Sequence, residues 1–164
     1  MVELTYSGPD TLGAELFVRS TNSAKPSFDT SPGGWTVQLF RVPGGTQTTP
    51  LAYSQGDMVG ESALVPVVSF DSANDFRRYV PGCPESYYAW RFYGSVRISI
   101  GGDYTFCTTS DDGSLFYLDT TPNDKALSYT LLIDNDGLHG ARQYCKALNL
   151  PPGTYKTKAS DSSV

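Results

Sequence analysis

The sequence contains few charged residues and almost no histidine. Charged side chains make up 18% of the 164 residues, the formal net charge is −5, and His139 is the single histidine. The 12 lysines and arginines form no basic stripe, so nucleic-acid binding is not expected. No apolar run approaches the length of a transmembrane helix, so membrane insertion is not expected either. An acidic surface suits cation binding or simple solubility.

Cysteine is also scarce. The chain has Cys83, Cys107 and Cys145, with no C-x-x-C pair and no Cys/His spacing typical of zinc sites. One disulfide plus one free thiol is the simplest arrangement for an extracellular protein with an odd number of cysteines. Three buried, reduced thiols remain the alternative.

The usual signatures of an enzyme are missing. There is no Gly-x-Ser-x-Gly nucleophile elbow. The one histidine lies in Asp-Gly-Leu-His-Gly, where we expect its ring to satisfy loop backbone groups rather than to catalyse. The adjacent Asp111 and Asp112 cannot straddle a glycosidic bond, because hydrolysis needs carboxyl groups about 5–10 Å apart across the sugar. We therefore expect no catalytic residues.

Strand and turn residues dominate what is present. The sequence has 11 Tyr, 16 Gly and 11 Pro, a mixture typical of β-proteins. No segment has a convincing helical period. In residues 90–100, Phe92, Val96, Ile98 and Ile100 are predicted to share one face. Short strands are predicted over residues 35–42, 64–70 (an edge strand, because of its proline), 90–100, 102–106, 131–133 and 148–155. This spacing favours an all-β antiparallel sandwich or barrel.

Two adjacent carboxylates lie between two of these strands, in SDDGS at residues 110–114. Neighbouring side chains of a strand point to opposite faces, so Asp111 and Asp112 converge only if the backbone bends sharply. A plain hairpin turn is one interpretation, since Asp, Gly and Ser are common turn residues. A calcium site is the other, because calcium takes carboxylate and carbonyl oxygens from irregular loops.

Four motifs in one order resemble the protective-antigen-type (PA-fourteen) β-barrel domain. They are YAWRFYGSV at 88–96, GDYTF followed by SDDGS at 102–114, IDNDGLHG at 133–140 and LNLPPGTY at 148–155. The likeness extends from about residue 35 to the last residue and implies an antiparallel β-sandwich or barrel of this type. Residues 120–129 are longer than the corresponding turn of the family.

The resemblance implies a calcium site. In lectin-type members, two adjacent aspartates joined by a cis peptide chelate calcium, and a later loop completes the set of ligands. Asp111 and Asp112 match the first part, and Asp161 is the expected metal ligand of the second. Calcium could then accept sugar hydroxyls, with Ser160 and Ser162 beside the sugar. Asp134 and Asp136 are alternative sources of oxygen ligands for the calcium. A plain turn would also explain these two carboxylates.

The resemblance also places Cys107 and Cys145 on central strands flanking the aspartates, and it implies that they form a disulfide. Cys83 would then be free or paired between chains.

The family's closing strand is expected at the start of this chain. Residues 1–20 resemble that strand, residues 21–34 read as a Ser/Thr/Pro/Gly-rich linker and residues 35–164 form the body of the domain. The closing strand should lie beside residues 154–159, burying Leu4, Tyr6, Leu16 and Val18. It would belong to its own barrel or be donated to a neighbouring copy.

These observations predict an extracellular or cell-surface module for calcium-dependent carbohydrate binding and cell adhesion, with glycans as partners. The alternative is a structural repeat unit of an extracellular filament, in which copies of the chain associate by strand donation.

Overall fold

The chain folds into an antiparallel β-sandwich, as the sequence predicts. The computed structural model describes residues 14–20, 27–28, 35–43, 57–65, 68–121 and 128–163, with the main chain alone described for 14–20, 27–28, 63–64 and 161–163. The elements in chain order are β1 (Ala14–Ser20), β2 (Ser27–Phe28), β3 (Trp35–Arg41), β4 (Met58–Val65), β5 (Ser69–Phe70), α1 (Ala73–Arg77), β6 (Tyr88–Ile98), β7 (Gly102–Ser110), β8 (Ser114–Asp119), β9 (Tyr129–Asn135), β10 (Arg142–Leu150) and β11 (Gly153–Ser163).

The strands form two sheets. The first has the order β10-β7-β1-β5, and the second has the order β4-β3-β6-β11-β8-β9, with β2 beside β6. The hairpin strands β8 and β9 are therefore neighbours in one sheet, whereas β7 and β8 belong to different sheets. The turn between β7 and β8, which holds the two aspartates, crosses from one sheet to the other.

The core lies between the sheets and is rich in aromatic side chains. Alternation along β6 buries Phe92, Val96 and Ile98, as predicted, and Trp90 is buried with them. Ile100 was expected on the same face, but this prediction is wrong. The strand ends at Ile98, so Ile100 lies in the following turn and is 55% exposed.

A short helix that the sequence pattern did not predict completes this core. Helix α1 has only five residues, too few to show a helical period. Its Phe76 stacks on Trp90 with ring centroids 3.9 Å apart and on Phe70 with centroids 4.0 Å apart. Aromatic packing, rather than helix propensity, holds this turn of helix in place. Within the described residues, no helix has both the length and the apolar character needed to cross a membrane.

The N-terminal strand lies in a different place from the one predicted. Strand β1 pairs along its whole length with β7 and at its start with β5, in the same chain. For residues 14–20 the predicted position beside residues 154–159 is wrong, because this segment belongs to the other sheet, between β7 and β5. Residues 1–13, including Leu4 and Tyr6, and the side chains of Leu16 and Val18 lie outside the described part.

Part of the predicted linker also joins the sandwich. Ser27 and Phe28 pair with Arg97 and Val96 of β6. The rest of residues 21–34 lies outside the described part of the chain. Both described segments that precede residue 35 therefore pair with strands of the predicted body.

Candidate functional site

The two aspartates lie in a tight turn between the sheets. Asp111 and Asp112 are half-buried, the flanking Ser110 and Ser114 are buried, and the peptide bond between the aspartates is cis. The side chain of Ser110 donates a hydrogen bond to Ser114 Oγ at 2.7 Å, which joins the two ends of the turn.

A buried asparagine fixes the base of this turn. Asn135 lies at the end of β9 and is fully buried. Its Nδ2 donates hydrogen bonds to Ser110 Oγ at 3.1 Å, to the carbonyl of Arg142 at 3.2 Å and to Ser114 Oγ at 3.4 Å. Its Oδ1 accepts a hydrogen bond from Arg142 Nε at 2.6 Å. The amide thus links β9, the start of β10 and both ends of the aspartate turn. Sequence reasoning missed this role, because the Asp-Asn-Asp-Gly context pointed only to a turn.

The loop between β9 and β10 lies against the aspartates. The main-chain N–H of His139 donates to Asp112 Oδ1 at 3.4 Å. The imidazole ring contacts two backbone carbonyls, with Nδ1 2.9 Å from the oxygen of Gly140 and Nε2 3.0 Å from the oxygen of Asn135. The prediction that His139 satisfies loop backbone groups is confirmed.

Asp134 and Asp136, the alternative oxygens, are used within their own loop. Asp134 Oδ1 accepts the N–H of Asp136 at 3.2 Å, and Asp136 Oδ1 accepts the N–H of Gly137 at 2.8 Å. These bonds are those of an ordinary Asp-Gly turn.

The electrostatics of the turn favour a cation. Burial raises the pKa of Asp111, and the neighbouring Asp112 carboxylate raises it further, while the charge of His139 and the N–H of Ala141 act in the opposite direction. The net increase means that ionising Asp111 here costs free energy, first because the carboxyl is partly buried and second because the Asp112 carboxylate is near. A bound cation would relieve this cost. Among the described side chains, no group of three or more His, Cys, Asp or Glu residues is arranged to hold a metal ion.

The predicted second part of the site lies next to the turn at the level of the main chain. Asp161 of β11 pairs with Ser114 of β8 and with Trp90 of β6. The side chains of Asp161 and Ser162 lie outside the described part. Ser160 is 4% exposed, and its hydroxyl has no hydrogen-bond partner within the described residues. The main-chain oxygens of this end of β11 and the two aspartates are hard oxygen donors, which fit calcium.

Two apolar side chains in segments next to the strands of this region are exposed. Leu138, in the loop that contacts Asp112, is 54% exposed, and Tyr87, immediately before β6, is 44% exposed. The next two aromatic residues, Tyr88 and Trp90, are buried in the aromatic core, so Tyr87 alone of the three is exposed to solvent.

The cysteines are arranged as the resemblance implied. Cys107 and Cys145 are directly opposite each other on β7 and β10 and form a disulfide. The prediction of this pair is confirmed. Cys83 is free and buried, and burial raises the pKa of its thiol to about 11.

Comparison with solved structures gives matches that show the fold. The β-glucosidase of Kluyveromyces marxianus, solved in complex with glucose, matches with a TM-score of 0.50 and 16% identity over 82% of this chain. A selenomethionine-labelled structure of the same enzyme matches with a TM-score of 0.54 and 17% identity over 96% of this chain. The chain spans only 15% and 17% of the lengths of these two chains. At these identities the likeness concerns the β-sandwich alone. No family model matches the sequence, and no curated protein sequence matches it.

Proposed function

We propose that this chain is a calcium-dependent carbohydrate-binding module of the protective-antigen type, acting in adhesion outside the cell. The observation that carries the proposal is the turn at Asp111 and Asp112. Two half-buried aspartates are adjacent there, β11 pairs with β8 directly after the turn, and the buried Asn135 bonds to the base of the turn.

The residues at this turn fit calcium better than they fit a structural role. A plain hairpin turn has no need to hold two carboxylates where burial raises the pKa of one of them. Asp111, Asp112 and the end of β11 around Asp161 would hold the ion. Bound calcium supplies coordination positions that sugar hydroxyl oxygens can fill.

The comparisons support the carbohydrate part of the proposal. The sandwich occurs in a β-glucosidase whose structure was solved with glucose. The four sequence motifs point to a domain type with lectin members, and the disulfide between Cys107 and Cys145 favours an extracellular location.

A binding role is favoured over catalysis. The single histidine has both ring nitrogens against backbone carbonyls, so it is poorly placed to act as a general base. The carboxylates of Asp111 and Asp112 are adjacent, which does not match the spacing that glycoside hydrolysis uses.

The filament alternative has less support. A strand donated by a neighbouring copy needs an acceptor edge, but β1 of the same chain already pairs with β7 and β5. The described residues therefore favour a domain that uses its own strand.

A glycan array probed with and without a chelator tests the proposal. We expect binding that disappears in EGTA and that is lost in Asp112→Asn even with excess calcium. Asp103→Asn is the matched control, because Asp103 is an exposed carboxylate at the opposite end of β7. Binding that is absent in the wild type, or that ignores the chelator, would refute the proposal.

A further inference from the structure

Tyr87 is an exposed aromatic residue in an unusual backbone conformation. Its φ is 59°, a region that residues other than glycine rarely adopt. The carbonyl of Tyr87 accepts a hydrogen bond from the N–H of Val42 at 2.9 Å, which ties the residue to the end of β3. Residues held in conformations of this kind are often found at binding sites. The next two aromatic residues, Tyr88 and Trp90, are buried in the core, whereas Tyr87 is 44% exposed. Packing in the core therefore does not account for a tyrosine at position 87.

The strand register places Tyr87 at the same end of the sandwich as the aspartate turn. Asp161 of β11 pairs with Ser114 of β8 on one side and with Trp90 of β6 on the other, so β6 and β8 both begin at this end of the sheet. The main chains of Trp90 and Ser114 are thus separated by two strand spacings, about 10 Å. Tyr87 immediately precedes β6, and Asp112 is two residues before Ser114.

We propose that Tyr87 is a platform for the second sugar unit of an oligosaccharide whose first unit is held at Asp111 and Asp112. The inference rests on the proposed function and adds a subsite to it. A monosaccharide at the carboxylates is shorter than the separation just described, whereas a disaccharide spans it. A tyrosine ring offers an apolar face to the C–H groups of a sugar, and ordering it costs little entropy.

Two variants separate the ring from the backbone. Tyr87→Asn removes the ring but keeps the backbone, because asparagine is among the residues most tolerant of positive φ. Tyr87→Phe keeps the ring and serves as the rescue. Ile100→Ala is the matched control, since Ile100 is exposed to a similar extent at the other end of β6. Unfolding of each variant in urea establishes that the fold is intact.

The experiment is isothermal titration in excess calcium with D-glucose, D-galactose, D-mannose and their disaccharides. For a disaccharide that the wild type binds, we expect Tyr87→Asn to bind about five- to tenfold more weakly. Tyr87→Asn should bind the matching monosaccharide within about twofold of the wild-type affinity. Tyr87→Phe and Ile100→Ala should bind both the monosaccharide and the disaccharide within about twofold of the wild type.

Three results would count against the proposal. If Tyr87→Asn binds the disaccharide as tightly as the wild type does, the subsite is refuted but the proposed function is not. The same holds if Tyr87→Asn loses as much affinity for the monosaccharide as for the disaccharide. Wild-type protein that binds none of the sugars in a calcium-dependent way overturns the subsite together with the proposed function.

Discussion

Asp111 is the residue whose titration reports most directly on the aspartate turn. Because its pKa is raised in the folded state, its contribution to stability is present at low pH and is lost as the pH rises through that value. Ionised Asp111 therefore destabilises the fold at neutral pH when calcium is removed. The same residue should stabilise the fold when calcium is bound, since the ion binds only the native state.

Thermal unfolding of Asp111→Asn tests whether ionised Asp111 lowers stability without calcium and raises it with calcium. In EGTA at pH 7 we expect the variant to melt at a higher temperature than the wild type, and the difference should vanish below about pH 3, where the carboxyl is protonated in both states. In excess calcium the order should reverse. A variant that melts below the wild type in EGTA would contradict the account.

Asn135 is the residue on which the geometry of the turn depends. Asn135→Ala removes one hydrogen-bond partner from each of two serine hydroxyls and from the guanidinium and carbonyl of Arg142, so we expect a loss of about 1–3 kcal/mol in the free energy of unfolding in urea. Calcium affinity should fall with it. Asn149→Ala is the control, because its hydrogen bond to Asp103 Oδ1 is exposed, and it should change stability by about 0.5 kcal/mol or less.

The sequence identified the turn but not the contacts that hold it. A bend at Asp111 and Asp112 could be predicted because adjacent carboxylates between two apolar strands are conspicuous, and their role as calcium ligands stays a prediction. The role of Asn135 could not, since its partners Ser110 and Arg142 are 25 and 7 residues away and meet it only through pairing of the strands. Tyr87 could not be separated from the buried Tyr88 and Trp90, because the start of β6 decides which ring faces the solvent.

At the scale of elements, the disulfide holds an exposed edge strand. Strand β10 is at the edge of its sheet, and its residues 142–147 are all exposed, so packing contributes little to holding it on β7. The bond between Cys107 and Cys145 closes a sequence separation of 38 residues. A loop of this size contributes roughly 3–4 kcal/mol to stability.

The double variant Cys107→Ala/Cys145→Ala should therefore lose roughly 3–4 kcal/mol in urea unfolding. Dithiothreitol should lower the stability of the wild type by a similar amount and leave the double variant unchanged. Cys83→Ala should keep the response to dithiothreitol, because Cys83 is free. A wild type that ignores the reductant while the bond is demonstrably reduced would contradict this role.

Element prediction succeeded where alternation was strong and failed where tertiary contacts decide. The strands around residues 90–100 and 102–106 have the clear period of two that a half-buried strand requires. Helix α1 has five residues and depends on the stacking of Phe76 with Trp90, a contact that no local pattern reveals. The strand at residues 14–20 was anticipated, but its neighbour was not, since strand order depends on the whole sandwich.

At the scale of the molecule, β1 completes a sheet. It separates β7 from β5, so its removal leaves an unpaired edge on both. Deleting residues 1–20 should give aggregation, whereas deleting residues 1–13, which keeps β1, should leave a monomer. Multi-angle light scattering after size exclusion measures both.

The full chain should stay monomeric at all accessible concentrations, because a tethered strand has an effective concentration near millimolar. Polymers whose size grows with concentration would instead indicate strand donation and favour the filament alternative.

The central claim is that the turn at Asp111 and Asp112 holds calcium and that this calcium holds a sugar. Anomalous diffraction from a crystal grown with calcium and with a disaccharide selected on the glycan array tests it most directly. The account predicts an anomalous peak in contact with both carboxylates and with sugar hydroxyls. A sugar bound elsewhere, or no peak at this turn in saturating calcium, would contradict it.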